Sequence, residues 1–173
     1  MENNRQNYVY HGSKEIFEFV IPKRQIRTRS YDDGRVETIF DQVSFHATTH
    51  KWIALAYMYD RGAYNLGGKI TQYNMGVDLY RYEENIEIYG YESLEKSLHA
   101  MYGAGGYLFV FEAKNFFHTE GLGNLEVITQ KELKPVHVEN VLDPVLEMKS
   151  LGVTFTFIDL ALPENTPFRN YCS

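Results

Sequence analysis

The sequence predicts an α+β domain, and three observations lead there. Runs that alternate or are wholly apolar, such as Glu84-Asn85-Ile86-Glu87-Ile88-Tyr89, outnumber runs with helical spacing. The strand-like runs are not separated by regular helical crossovers, as they would be in a doubly wound sheet. No internal repeat or low-complexity tract divides the 173 residues, so 1–173 read as a single domain.

Taken in order, residues 1–7 read as a polar leader without an apolar signal core. Residues 8–12 form the first expected strand. Residues 15–22 follow as an extended segment, with Phe17, Phe19 and Ile21 on one side and Pro22 at its end. A basic cluster comes next: Lys23, Arg24, Arg27, Arg29 and Arg35, with Asp32-Asp33-Gly34 as a turn. It reads either as a phosphate or nucleotide contact, since planar arginine suits phosphate oxygens, or as a solvated loop.

Residues 43–48 read as the second strand. A helix over 50–60 follows, capped by Thr48 or Thr49 and packed closely through Ala54 and Ala56. Asn65-Leu66-Gly67-Gly68 reads as a turn, residues 69–79 alternate weakly, and 84–89 alternate cleanly as a strand. Ser93 caps a helix through Tyr102, with Leu94, Leu98 and Met101 on one face and Gly103 as the stop. Residues 105–112 are almost continuously apolar, as a central strand covered on both faces should be. A loop over 116–124 leads to a short strand at 125–129. Residues 134–138 read as an edge strand because of Pro135. Residues 141–151 read as a helix with Pro144 near its start, and 153–158 as the last strand. Residues 163–173 read as a polar tail.

Composition narrows the function classes. A net charge of −6 argues against a general nucleic-acid binder. The single cysteine, Cys172, allows no internal disulfide and no cysteine-based zinc site, which fits a reducing cytosol. No segment is apolar enough over enough length to span a membrane, so a cytoplasmic protein is expected. With 14 tyrosines, a ligand cleft that stacks flat groups is compatible with the composition.

The stretch that carries chemistry is Val9-Tyr10-His11-Gly12-Ser13. Alternation puts Val9 and His11 on one face of the strand and Tyr10 on the other. Gly12 leaves its backbone open to a flat amide, and His11 offers a donor and an acceptor to a ribose hydroxyl. The same stretch also reads as a strand ending in a glycine turn. His46 and His50 have the i, i+4 spacing of a zinc pair, but they straddle the strand–helix boundary with no third ligand, so no metal site is assigned. Gly103-Ala104-Gly105-Gly106 precedes a strand instead of following one and is not a dinucleotide fingerprint.

Three pieces line up in order: Tyr10-His11-Gly12-Ser13; Phe45-His46-Ala47-Thr48 with a helix carrying Ala54 and Tyr57; and Leu125-Glu126-Val127-Ile128-Thr129 leading to Lys134-Pro135-Val136. This order resembles the ADP-ribosyltransferase superfamily, in the His-Tyr-Glu branch that includes diphtheria toxin and the poly-ADP-ribose polymerases. The resemblance covers roughly residues 8–60 and 105–140, and 61–104 align with nothing in it. It implies split antiparallel β-sheets with a few peripheral helices around an NAD cleft. Gly12 would hold the nicotinamide carboxamide with help from Ser13, His11 would bond the adenosine ribose, and Tyr57 would stack on nicotinamide. Glu126 would bond the nicotinamide ribose and stabilise its positive charge; Glu120 and Glu132 lie close enough in sequence to compete for that role.

The implied activity is NAD-dependent transfer of ADP-ribose to an unidentified acceptor, or to water, with NAD as substrate and no metal. Arg24 and Arg27 would contact phosphate. The family's middle tyrosine aligns with Phe45, which can stack but has no hydroxyl. A module that binds NAD or another nucleotide without turnover is therefore the alternative.

Overall fold

Period-two alternation along the first strand organises the protein. The computed structural model describes residues 7–60, 75–77, 84–90 and 93–159. Among these it contains nine strands: β1 (Tyr8–Ser13), β2 (Lys23–Ser30), β3 (Val36–Thr48), β4 (Met75–Val77), β5 (Asn85–Gly90), β6 (Gly106–Glu112), β7 (Glu126–Thr129), β8 (His137–Val141) and β9 (Thr154–Asp159). Three α-helices accompany them, α1 (Lys51–Ala56), α2 (Leu94–Tyr102) and α3 (Pro144–Ser150), with a 3-10 turn at Ala113–Asn115. The architecture is mixed α and β, mostly antiparallel sheet. No helix among the described residues is long and apolar enough to cross a membrane.

Six strands form one sheet in the order β2-β3-β1-β6-β8, with β7 paired to the end of β3, and every pairing is antiparallel. A second sheet, β4-β5-β9, is mixed, because β5 and β9 run parallel. The second sheet thus departs from the expected all-antiparallel arrangement.

Register sorts the side chains of the main sheet onto two faces. Gly12 is paired with Leu108, Tyr10 with Thr48, and Thr48 with Glu126. Directly paired residues point the same way, so these share one face, and His46, two residues before Thr48, joins them. Leu108 belongs to a core shared with Trp52, Ile53, Leu55, Ile86, Met101 and Met148. The opposite face carries Val9, Ala47, Phe109, Phe111 and Val127, with Phe17 and Phe45 packed on them. Strand β6 supplies both cores, which explains its unbroken apolar run.

Two helix caps behave as their sequences indicate. Ser93 accepts from the Lys96 amide, and Asp143 from the Leu146 amide with Pro144 just inside α3. Other boundaries moved. Residues 15–22 form no strand; Phe17 stacks on Phe109 at 3.7 Å and only Val20 bridges, to Leu133. Strand β3 begins at Val36 because Lys23–Ser30 of the basic cluster, exposed throughout, form not a loop but one arm of a hairpin with it. Helix α1 spans only Lys51–Ala56, and its cap position is His50, whose amide donates to Thr48 Oγ1. Gly103 follows α2 with an ordinary helical φ, and the left-handed residue is Gly105 at φ 64°. Strand β8 starts after Pro135, on the edge as expected, and it runs to Val141, which delays α3. The Asn65–Gly68 turn, most of 69–79, the leader before Asn7 and the 163–173 tail lie outside the described residues.

Candidate active site

Strand β1 is paired with β6 along its whole length but meets β3 at a single pair, Tyr10 and Thr48. Past that point β1 and β3 part, and a cavity of about 640 Å³ opens between them. Its wall includes His11, Gly12, Ser13, Arg27, Tyr57 and Glu126. Sequence-distant stretches on β1, β2, β7 and the turn after α1 thus converge on one space.

Gly12 is demanded by the helix above it. A Cβ there would lie 1.8 Å from the Ala54 carbonyl oxygen, so only glycine lets α1 descend onto β1. Tyr57, the residue after α1, stays about half exposed at the cavity wall. Its partial burial, with the Glu126 carboxylate nearby, raises the phenol above its ordinary pKa.

Glu126 is the electrostatic centre. Arg27 grips it with both arms, Nη1 donating to Oε2 at 2.8 Å and Nη2 to Oε1 at 2.5 Å. His46 Nδ1 lies 2.6 Å from Oε1. Burial pushes the Glu126 pKa up, but the His46 and Arg27 hydrogen bonds and charges outweigh it and hold the carboxyl below its usual value. Glu126 is therefore a carboxylate at neutral pH. Glu120 and Glu132 are exposed and do not line the cavity, which separates the three carboxylates left open by the sequence.

His11 is half-buried at the cavity wall. Its ring lies 4.4 Å from that of Phe45, and Nδ1–H donates to the His46 carbonyl at 2.8 Å. Burial drives its pKa below the ordinary value despite the help of that carbonyl, and nearby His46 pushes the same way. The ring is thus neutral, with Nε2 left as an acceptor. This predicts a pH effect on stability. Unfolded His11 takes up a proton near pH 6.5 while the folded ring resists one to lower pH. The unfolded state then binds more protons, so this contribution is present above 6.5 and lost as pH falls towards the depressed folded value. Glu126 contributes in the same sense in a more acidic window, below its ordinary value of 4.5. Melting curves of His11→Phe should lose the first part of the acid slope; identical slopes in both proteins would contradict this placement.

Two expected residues are not brought to the cavity. Phe45 points to the opposite face of β3 and packs on His11, Phe17 and Phe111. Alternation gives its place to the neighbouring residue, His46. Arg24 pairs with Asp41 across the hairpin, 2.8 Å and 2.7 Å, in the open. Conversely, His46, Thr48, Lys14 and Asp60 line the cavity and were not assigned to the nucleotide site from sequence. Period two from Ser44 through His46 to Thr48 was the available signal for His46. Nothing local marks Lys14, whose Nζ reaches the Gly105 carbonyl at 2.7 Å. His50 bonds its neighbour Thr49 while His46 turns to Glu126, so this histidine pair does not act together.

Compared with protein-family models, curated proteins and solved structures, the chain matches none.

Proposed function

We propose that the cavity binds NAD and that Glu126 assists cleavage of the bond between nicotinamide and ribose, ADP-ribose passing to an acceptor or to water. One observation carries this reading: His11-Gly12-Ser13, Tyr57 and Glu126, the pieces of the ADP-ribosyltransferase pattern, line one cavity with Arg27. Its volume of about 640 Å³ lies inside the roughly 300–1,000 Å³ of small-molecule sites. The finer fold reading, an ADP-ribosyltransferase split sheet, belongs to the same proposal. The divergence of β1 from β3 supports it.

Each residue has a task that its chemistry suits. The open edge of β1 at Gly12 accommodates a flat carboxamide, and the Tyr57 ring stacks on the leaving group. Arg27, planar and always charged, meets phosphate oxygens, which frees the oxygens of Glu126 for the ribose hydroxyl. Glu126 then stabilises the positive charge that develops on the sugar. The C1′–N bond breaks with its electron pair leaving on nicotinamide. A lone pair of the acceptor forms the new bond to C1′, and the acceptor's proton passes to solvent.

A second reading, a module that binds NAD without cleaving it, is favoured by the double occupation of Glu126 by Arg27 and His46. Chromatographic assay of nicotinamide from NAD separates the two. Release by the wild-type protein, with water or added acceptors, is the result expected of a transferase. Tight NAD binding without any release leaves the binding module. A paired test addresses the arginines. Arg27→Ala should weaken NAD binding about tenfold, the loss of one charge-assisted hydrogen bond of roughly 1.5 kcal/mol. Arg24→Ala should change nothing, and equal losses in both would contradict the assignment.

A further inference from the structure

Ser44, His46 and Glu126 form an unbroken chain. Ser44 Oγ lies 3.0 Å from His46 Nε2, and His46 Nδ1 lies 2.6 Å from Glu126 Oε1. The connectivity is that of a nucleophile–base–acid triad. Exposure decides against that role. Ser44 is only 2% exposed and does not line the cavity, so no substrate reaches its hydroxyl. The chain instead ends on the Glu126 carboxylate at the cavity wall.

The Glu126 carboxylate can only accept, so His46 Nδ1 carries a proton and donates to Oε1, while Ser44 Oγ holds the other ring nitrogen at 3.0 Å. The Arg27 Nη2 to His46 Nδ1 approach of 3.4 Å is then two donors converging on one oxygen, not a bond between them. The ring edge is held further by Phe40, 5.4 Å away at 70°. The two partners of Glu126 differ in freedom. The Arg27 side chain is 44% exposed on a hairpin, whereas the His46 side chain is 18% exposed and fixed at both nitrogens.

We propose that His46 is a positioning residue: when Arg27 turns to a phosphate of the ligand, the Nδ1–H of His46, with the ring held at Nε2 by Ser44, keeps the Glu126 carboxylate aimed into the cavity. This rests on the NAD reading. The role needs only an N–H at the Nδ1 position. Asparagine carries its amide nitrogen there, so His46→Asn restores what His46→Ala removes.

The test combines kinetics of nicotinamide release from NAD with nitrogen NMR of the His46 ring in the free protein. His46→Ala should lower kcat about 10- to 100-fold, the usual effect of removing the partner of a functional side chain, with KM for NAD little changed. His46→Asn should recover most of the loss. The ring should carry a proton on Nδ1 in the wild-type protein, as its bond to the carboxylate requires. A bare Nδ1 overturns the proposal. So does an unchanged kcat in His46→Ala, or a His46→Asn protein that is folded and as slow as the alanine variant. Failure of the NAD reading shows itself separately, in a wild-type protein that neither binds NAD nor releases nicotinamide. That outcome, or NAD binding without any release by the wild-type protein, removes the positioning role together with the reading on which it rests.

Discussion

Glu126→Gln is expected to lower nicotinamide release by about 100-fold or more, the effect of removing one preorganised charge from a developing transition state. Glutamine keeps the shape and can still accept from Arg27 or His46, but it brings no negative charge to the sugar. Binding of NAD should stay within about threefold, because glutamine keeps a carbonyl oxygen for the ribose hydroxyl and the charge stabilisation it loses is realised in the transition state, which affects kcat and not ground-state affinity. The protein should also stay folded. Arg27 is 44% exposed, and an ion pair screened to that degree contributes about 1 kcal/mol or less. Release and melting temperature, measured on the same samples, check this. A glutamine variant as active as the wild type would sink the role of Glu126.

Gly12→Ala carries the largest expected structural effect. The added methyl would sit 1.8 Å from the Ala54 carbonyl oxygen and 2.8 Å from its carbon, both backbone atoms. Neither can swing aside as a flexible side chain would, so α1 must lift from β1. Helix α1 carries Trp52, Ile53, Leu55 and Ala56 into the first core and Ile53 and Ala54 into the cavity wall. Overpacking of this kind costs about 3 kcal/mol. For a chain of this size that is roughly a 10 °C drop in melting temperature. NAD binding should fall with it, since Gly12 and Ala54 both face the cavity. A variant that melts within about 2 °C of the wild type, about 0.5–1 kcal/mol by the same scaling, would show that α1 and β1 are not packed as described.

The fold was legible where burial imposed a period. Gly106–Glu112 read as a covered central strand because both cores draw on it. Ser93 and Asp143 announced two helices because their side chains satisfy backbone amides that nothing else would. The β2–β3 hairpin was missed for the opposite reason. Every residue of Lys23–Ser30 is exposed, so backbone pairing to β3 holds the strand and no hydrophobic alternation records it. In residues 15–22 the apolar pattern misled, since the core takes Phe17 and Val20 while Ile21 and Phe19 face outward.

At the site, Gly12, Ser13, Arg27, Tyr57 and Glu126 were legible because each lies in a short motif or cluster whose chemistry is local. The partners of Glu126 were not. Their approach depends on a cross-strand diagonal, from His46 on β3 to Glu126 beside Thr48, and on a hairpin arm that folds over it. Pairing register is a long-range property, and a one-residue slip would have put Phe45 in the cavity in place of His46.

The measurement that tests the central claim most directly is a titration of NAD into the wild-type protein followed by amide NMR. The account predicts saturable shifts centred on Gly12, Ser13, Ala54 and Glu126, with a midpoint between about 1 μM and 1 mM, the usual range for an enzyme's substrate. The β2 residues Lys23 and Arg24, outside the cavity wall, should stay still. Amides of the cavity wall that do not move at about 10 mM NAD, ten times the top of that range, would contradict the account.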